Sequence, residues 1–360
     1  MRVVYHSFYG RYSDSPRAIF ESLRDRSDLS QVWLADPNHQ GAFPADVTTV
    51  RVHGAEARDA LESADLLVAN THTETEWRKG PHTTYLQTWH GTPLKRVHRD
   101  VLWAPPGRLS RLDRDVAKWD LLLSPNAAST PRLRHAFRYD REVLESGYPR
   151  NDVLNAPERD ALRQRVRRAL GVDDGTVAVL YTPTWRDDEF FTDDRRSAPL
   201  GLDFRRCIDG LGAGYRILAR SHALMTGRSV PPEERGVVDV SYYPDIAELY
   251  LAADVLVTDY SSAMFDFAVT GKPIVYYTYD MERYRSSIRG FYFDLFSDAP
   301  GPVVATVDDL VGALRDIPGG VPRYAAAYER FVATYCHLED GSATSRVLGR
   351  LGLLAPVATA

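Results

Sequence analysis

Short apolar runs rich in Val, Ile and Leu alternate with longer amphipathic stretches along nearly the whole chain. This is the sequence habit of parallel sheets whose faces are covered by helices, so an α/β fold is predicted. Strands are expected at residues 3–8, 31–34, 47–52, 66–69, 84–89 and 121–124, and again at 177–182, 215–219, 237–239, 255–258 and 274–277. Ser15-Pro16 suits the start of a helix running to Arg24, with Ser as N-cap and Pro at the first helical position. Gly147-Tyr-Pro-Arg-Asn151 interrupts the alternation, and Asn155-Ala-Pro157 then opens a helix with Leu162, Val166 and Leu170 at spacings of four and Gly171 as its C-terminal cap.

A chain of 360 residues exceeds the usual size of one domain, which agrees with a break near that interruption. Two doubly wound, Rossmann-like halves are expected, residues 1–150 and 151–345, followed by a C-terminal tail at 346–360. In doubly wound sheets ligands lie beyond the carboxyl ends of the strands, and two such halves would face each other across a cleft. Residues just after strands therefore carry the chemical interest.

The balance of 44% hydrophobic and 26% charged residues is that of an ordinary globular protein and leaves no long low-complexity segment to explain. Cys207 and Cys336 stand far apart with no CxxC spacing, which fits a reducing, cytoplasmic setting. Met-Arg leads straight into Val3-Val4-Tyr5, which reads as a first strand rather than a signal sequence, and no window holds the roughly 20 apolar residues of a spanning helix. The formal net charge is -5, yet residues 78–141 hold 13 lysines or arginines against 5 aspartates. That basic stretch is either the solvated side of several helices or a face that meets an anionic acceptor or lipid headgroups. Within it, Arg96, Arg99, Arg108, Arg111, Arg114 and Lys118 mingle with Leu102, Trp103, Leu109 and Leu112, a pattern suited to peripheral contact with an anionic membrane surface. The acidic whole-chain balance and the lack of helix-turn-helix signatures argue against nucleic acid as a partner.

Several chemistries fall away on motif grounds. No GxGxxG follows the first strand, and neither GxxxxGK[ST] nor GxSxG occurs. The ten histidines form no HExxH or HxxxH pair, so metal-independent chemistry without a cofactor is expected.

Four strand ends concentrate the remaining candidates. Ser261 and Ser262 follow the strand at 255–258 and open a helix, where hydroxyls and unpaired N–H groups can receive phosphate; the alternative is that they only cap the helix. Asp259 before them and Asp266 after them are unhelpful to an anion but suit polyol or ribose hydroxyls. Arg186 and Arg220, with Ser221 and His222 beside the latter, also follow strands and can offer bidentate phosphate contacts, unless they are spent in ion pairs. His90 stands just past the strand at 84–89, with Gly91 and Thr92 after it, and a neutral imidazole there can accept the proton of an attacking hydroxyl. Lys95 can meet an acceptor phosphate.

The segments Trp89-His-Gly-Thr-Pro-Leu-Lys95, Thr182-Pro-Thr-Trp-Arg186, Thr258-Asp-Tyr-Ser-Ser262 and Arg289-Gly-Phe-Tyr-Phe-Asp294 resemble, in sequence and order, those of the CDP-glycerol glycerophosphotransferase family. Ser13-Asp-Ser-Pro16, Gly147-Tyr-Pro-Arg-Asn-Asp152, Gly271-Lys-Pro-Ile-Val275 and Asp340-Gly341 extend the resemblance over nearly the whole chain. It implies a GT-B fold with an acceptor-binding first half and a nucleotide-binding second half. It also implies a base at His90 and a histidine assisting at the phosphates at His222, with Arg186, Arg220, Ser221, Asp259, Ser261, Ser262 and Asp266 at the donor and Gly91, Thr92 and Lys95 at the acceptor. The implied reaction moves glycerol phosphate from CDP-glycerol to a hydroxyl of a polyol-phosphate, lipid-linked or glycan acceptor and releases CMP. The length resembles that of compact primase-sized members. Rival readings are a CDP-ribitol enzyme, a GT-B glycosyltransferase and a catalytically silent nucleotide-binding module.

Overall fold

The computed structural model describes residues 1–73, 75–184, 186, 201–221 and 235–354, with the backbone alone for 318–322. The chain divides into two compact units, one made of Met1–Gly91, Gly107–Asn155 and His337–Ala360, the other of Thr92–Pro106 and Ala156–Cys336.

The first unit holds β1 (Arg2–His6), β2 (Ser30–Ala35), β3 (Thr49–Arg51), β4 (Leu66–Ala69), β5 (Thr84–Gln87), β6 (Leu121–Ser124) and β7 (Glu142–Glu145). They form one parallel sheet in the order β3-β2-β1-β4-β5-β6-β7. Because side chains alternate along a strand, Val3, Tyr5, Leu66, Val68, Leu86, Leu121 and Leu123 fall on one face. There they share a core cluster with Ile19, Phe20 and Leu23 of α1 (Asp14–Leu23) and with Val347 and Leu348 of the last helix, Ala343–Arg350.

That last helix departs from the expected partition. The segment from His337 onward belongs to the first unit, whereas the sequence placed residues up to 345 in the second half and 346–360 in a tail. The reason is a cap and an apolar stripe: the Asp152 carboxylate accepts the Ala343 and Thr344 N–H groups at 2.9 and 2.7 Å, and Val347 and Leu348 are buried. One break between the units falls after Asn155. β7 was not foreseen; its Glu-Val-Leu-Glu sequence is that of a sheet edge, with both glutamates exposed.

The second unit holds β8 (Val177–Thr182), β9 (Tyr215–Ala219), β10 (Val237–Asp239), β11 (Val255–Thr258), β12 (Ile274–Tyr277) and β13 (Val303–Val304), all parallel, in the order β10-β9-β8-β11-β12-β13. The helix Arg159–Ala169 buries Leu162 and Val166 as expected, and Gly171 takes a φ of 64°, the left-handed conformation of a helix end. Arg163 and Arg167 of that helix reach Asp254, just before β11, at 2.5 and 3.0 Å.

Each strand order reverses once, between β1 and β4 in the first sheet and between β8 and β11 in the second. The crevice beyond the carboxyl ends at such a reversal is where doubly wound sheets bind ligands. Pro183-Thr184 and Asp259-Tyr-Ser-Ser262 leave the two strands flanking the second reversal, while His90 follows β5, one strand from the first.

Candidate active site

Thr182 and Thr258 lie opposite each other in the register of β8 and β11, so the segments that leave them start side by side. The Asp259 carboxylate knits them together. One of its oxygens accepts the N–H groups of Thr184 at 2.8 Å and Tyr260 at 2.5 Å, and the other accepts Arg186 Nη1 at 2.9 Å.

Arg186 is buried and spends all of its donors inside the unit. Nε and Nη2 clasp Asp280 at 2.7 and 2.8 Å, Nη1 reaches Asp259 and the Thr184 carbonyl, and Nη2 also reaches the Tyr279 hydroxyl at 3.3 Å. Its guanidinium carbon lies 5.0 to 5.3 Å from the ring centres of Tyr260, Tyr279 and Tyr284. Burial works against its charge, but Asp259 and Asp280 outweigh that and hold the group protonated. The sequence placed Arg186 at a donor phosphate; here each of its N–H groups is engaged within the unit. Asp259 likewise has both oxygens engaged rather than presented to ligand hydroxyls. Both residues shape the turn into Ser261-Ser262.

That turn is the open part of the site. Ser261 Oγ accepts the Ala263 N–H at 3.3 Å, and the Met264 and Phe265 N–H groups bond the carbonyls of Ser261 and Ser262. The N–H groups of Ser261 and Ser262 themselves, and the Ser262 hydroxyl, meet no acceptor among the described residues. Both serines are half-exposed, so two consecutive N–H groups and two hydroxyls are offered in one place. The helix that follows, Ala263–Ala268, is short, and the buried Asp266 lies within it.

On the neighbouring β9, Arg220 Nη1 donates to the carbonyls of Val240 and Tyr243 at 3.0 and 2.7 Å, tying the strand end to the loop after β10. Ser221 bonds Ser241 Oγ through both N–H and hydroxyl. His222, expected to assist at the phosphates, lies outside the described residues.

Thr92 and Lys95 were expected in the first half, but Thr92–Pro106 belongs to the second unit. Lys95 forms an antiparallel bridge with Phe291, the Tyr292 N–H donates to the Leu94 carbonyl at 2.9 Å, and Arg96 N–H donates to the Gly290 carbonyl at 3.2 Å. Two family-like segments far apart in sequence are thus one main-chain ladder. The Phe291 ring continues into a stack with Tyr260 and Tyr284, whose own rings lie 4.2 Å apart, so the ladder packs on the residue that precedes Ser261.

In the first unit, His90 is half-buried and its Nδ1 lies 2.6 Å from the Asn70 carbonyl oxygen. A carbonyl only accepts, so Nδ1 carries a proton, and in the neutral form of the ring the basic lone pair is on Nε2. The Trp89 and Phe8 rings pack against the imidazole with centres 4.1 and 5.4 Å away. Gly91 is the last residue of this part of the unit. Elsewhere in the unit, Arg150 forms a buried ion pair with Asp14 at 3.2 Å, which joins the Ser13-Asp-Ser-Pro16 and Gly147–Asp152 segments. Sequence reasoning missed Asn70, Gln87 and Asp280. Each stands at or just past a strand end, the positional signal that singled out His90.

The two parallel-sheet units place the chain in the GT-B class of α/β folds. The family model of CDP-glycerol:poly(glycerophosphate) glycerophosphotransferases matches residues 1–352, and the chain belongs to that family. It is 36% identical over 355 residues to the teichoic acid glycerol-phosphate transferase of Staphylococcus aureus, covering 96% of this chain and 91% of that one. It is 35% identical over 356 residues to the teichoic acid poly(glycerol phosphate) polymerase of Bacillus subtilis, again over 96% of this chain but about half, 48%, of the polymerase. A solved histidine-to-asparagine variant of the wall teichoic acid polymerase TagF, soaked with CDPG, superposes with a TM-score of 0.87 at 33% identity, over 98% of this chain and 88% of that one.

Proposed function

We propose that the chain transfers glycerol phosphate from CDP-glycerol to a hydroxyl of a teichoic-acid-type polyol-phosphate acceptor, releasing CMP. The observation that carries the reading is the tautomer of His90, fixed by the Asn70 carbonyl so that Nε2 can take a proton. The acceptor O–H gives its proton to Nε2 while its oxygen attacks the β-phosphorus, to which glycerol is attached. The bond from that phosphorus to the bridging oxygen breaks, and the oxygen leaves with CMP. The N–H groups and hydroxyls of Ser261 and Ser262 receive charge on the diphosphate, Arg220 and His222 supply positive or hydrogen-bonding groups for it, and Lys95 meets an acceptor phosphate. Such transfer asks for positioning and electrostatic complementarity, not a covalent enzyme intermediate. Family membership and the two teichoic acid relatives support the donor and acceptor classes.

Incubating the protein with CDP-glycerol, CDP-ribitol and a UDP-sugar, with and without a lipid-linked glycerol-phosphate acceptor, tests this reading. Acceptor-dependent CMP release from CDP-glycerol supports it; UDP release, or CMP from CDP-ribitol alone, contradicts it.

The acceptor side includes a membrane-surface component. No helix among the described residues is long and apolar enough to cross a membrane, but Leu102 and Trp103 are 44% and 52% exposed within a basic stretch. Sedimentation with vesicles containing anionic lipid, reduced by Trp103→Ala, is the expected result; equal sedimentation with neutral vesicles refutes it.

A further inference from the structure

The residues that flank His90 have unusual backbones. Phe8 and Trp89 both adopt positive φ, 35° and 53°, a conformation that side chains with a Cβ rarely take and that costs free energy, so it persists only where the surroundings enforce it. Both of their rings pack on the imidazole.

Each is enforced in the same way. The Phe8 N–H donates to Asn70 Oδ1 at 3.0 Å, and the Trp89 N–H donates to Gln87 Oε1 at 2.9 Å. Both amide side chains belong to fully buried residues at neighbouring strand ends, Asn70 just past β4 and Gln87 closing β5. Gln87 Nε2 donates in turn to the Thr71 carbonyl at 3.2 Å, which locks the amide's orientation and ties the two strand ends together. Asn70 supplies the carbonyl that holds His90 Nδ1 as well. One short cradle therefore fixes the tautomer, one ring wall and the other ring wall of the same imidazole.

We infer that Asn70 and Gln87 are positioning residues for His90: two buried amides that hold Phe8 and Trp89 in strained conformations so that the imidazole is clamped with Nε2 as its basic nitrogen. The inference rests on the proposed role of His90, but its structural half can be read without turnover. A histidine displaced by an ångström loses about two orders of magnitude of its effect on rate. Donor binding belongs to the serine turn of the other unit and should be spared.

The test compares Gln87→Leu, Gln87→Glu and Asn70→Ala. Buried glutamic acid is held protonated, and its carbonyl and hydroxyl reproduce both hydrogen bonds of the amide, so Gln87→Glu is the conservative rescue. For Gln87→Leu and Asn70→Ala the expected result is a fall in kcat on the order of 100-fold, with KM for CDP-glycerol within about twofold. Gln87→Glu should recover most of the rate near pH 6. Long-range ¹H–¹⁵N spectra of the histidines should show His90 protonated at Nδ1 in the parent and mixed between nitrogens in Gln87→Leu. Unchanged kcat and an unchanged tautomer in the folded variants would overturn the inference, as would Gln87→Glu behaving no better than Gln87→Leu. Were His90→Ala to keep full activity while the Gln87→Leu tautomer still shifted, the base role would fall and the positioning would stand.

Discussion

Arg186 distinguishes a residue that shapes the proposed donor site from one that touches the donor. Its guanidinium makes hydrogen bonds to Asp259, Asp280, the Thr184 carbonyl and the Tyr279 hydroxyl, and its side chain is only 5% exposed. Lysine in its place has three N–H bonds on one nitrogen and cannot span Asp259 and Asp280 together. Hydrogen bonds to charged partners contribute about 1.5–3 kcal/mol each, so Arg186→Lys should cost about 3 kcal/mol of stability. Arg186→Ala, which leaves two buried carboxylates without a cation, should cost about 3–5 kcal/mol. Urea unfolding followed by tryptophan fluorescence measures the loss, and calorimetry with CDP measures the consequence for the serine turn. In Arg186→Lys both stability and CDP affinity should fall together. A variant of parental stability that has lost only CDP affinity would show that Arg186 binds the diphosphate directly, and would refute the assignment.

Three further outcomes are expected. Ser262 has a φ of -63°, which proline shares, so Ser262→Pro removes one open N–H at little backbone cost and should weaken CDP binding by about 10-fold or more; unchanged affinity would show that this N–H receives no phosphate. His6 is buried, and burial with the nearby His53 lowers its pKa to about 4, so the unfolded chain binds the extra proton between about pH 6.5 and 4. Its contribution to stability is then fully present above pH 6.5 and lost as pH falls through that window, by up to about 3 kcal/mol. Urea midpoints of the parent should fall over that range more steeply than those of His6→Asn, and parallel curves would contradict the account. Removing residues 341–360 should destabilise the first unit by several kcal/mol through loss of Val347 and Leu348 from its core, at about 1.5–3 kcal/mol per buried side chain, whereas a dispensable tail would leave it unchanged.

The sheets were legible because each central strand is a run of residues such as Leu66–Ala69 or Val255–Thr258 that is buried throughout and bounded by turn residues. β7 was not, because its four residues hold only two apolar ones, partly buried, between glutamates exposed at both ends. The helix at 343–350 was not assigned to the first unit because its partner, Asp152, lies far away in sequence. His90 and the serine pair were legible as polar residues past strand ends. The role of Arg186 was not, since an arginine past a strand reads the same whether its partner is a phosphate or a pair of aspartates from other loops. The fate of Thr92–Lys95 was hidden for the same reason: its partner in the ladder, Arg289–Asp294, is brought to it only by the fold.

In the proposed mechanism His90 accepts the acceptor's proton through Nε2. Acceptor-dependent CMP release from CDP-glycerol by His90→Ala, measured beside calorimetric CDP-glycerol binding by the same preparation, tests it most directly. Turnover should fall by about 10²-fold or more while donor affinity stays within about twofold. Full turnover by a folded His90→Ala protein would contradict it.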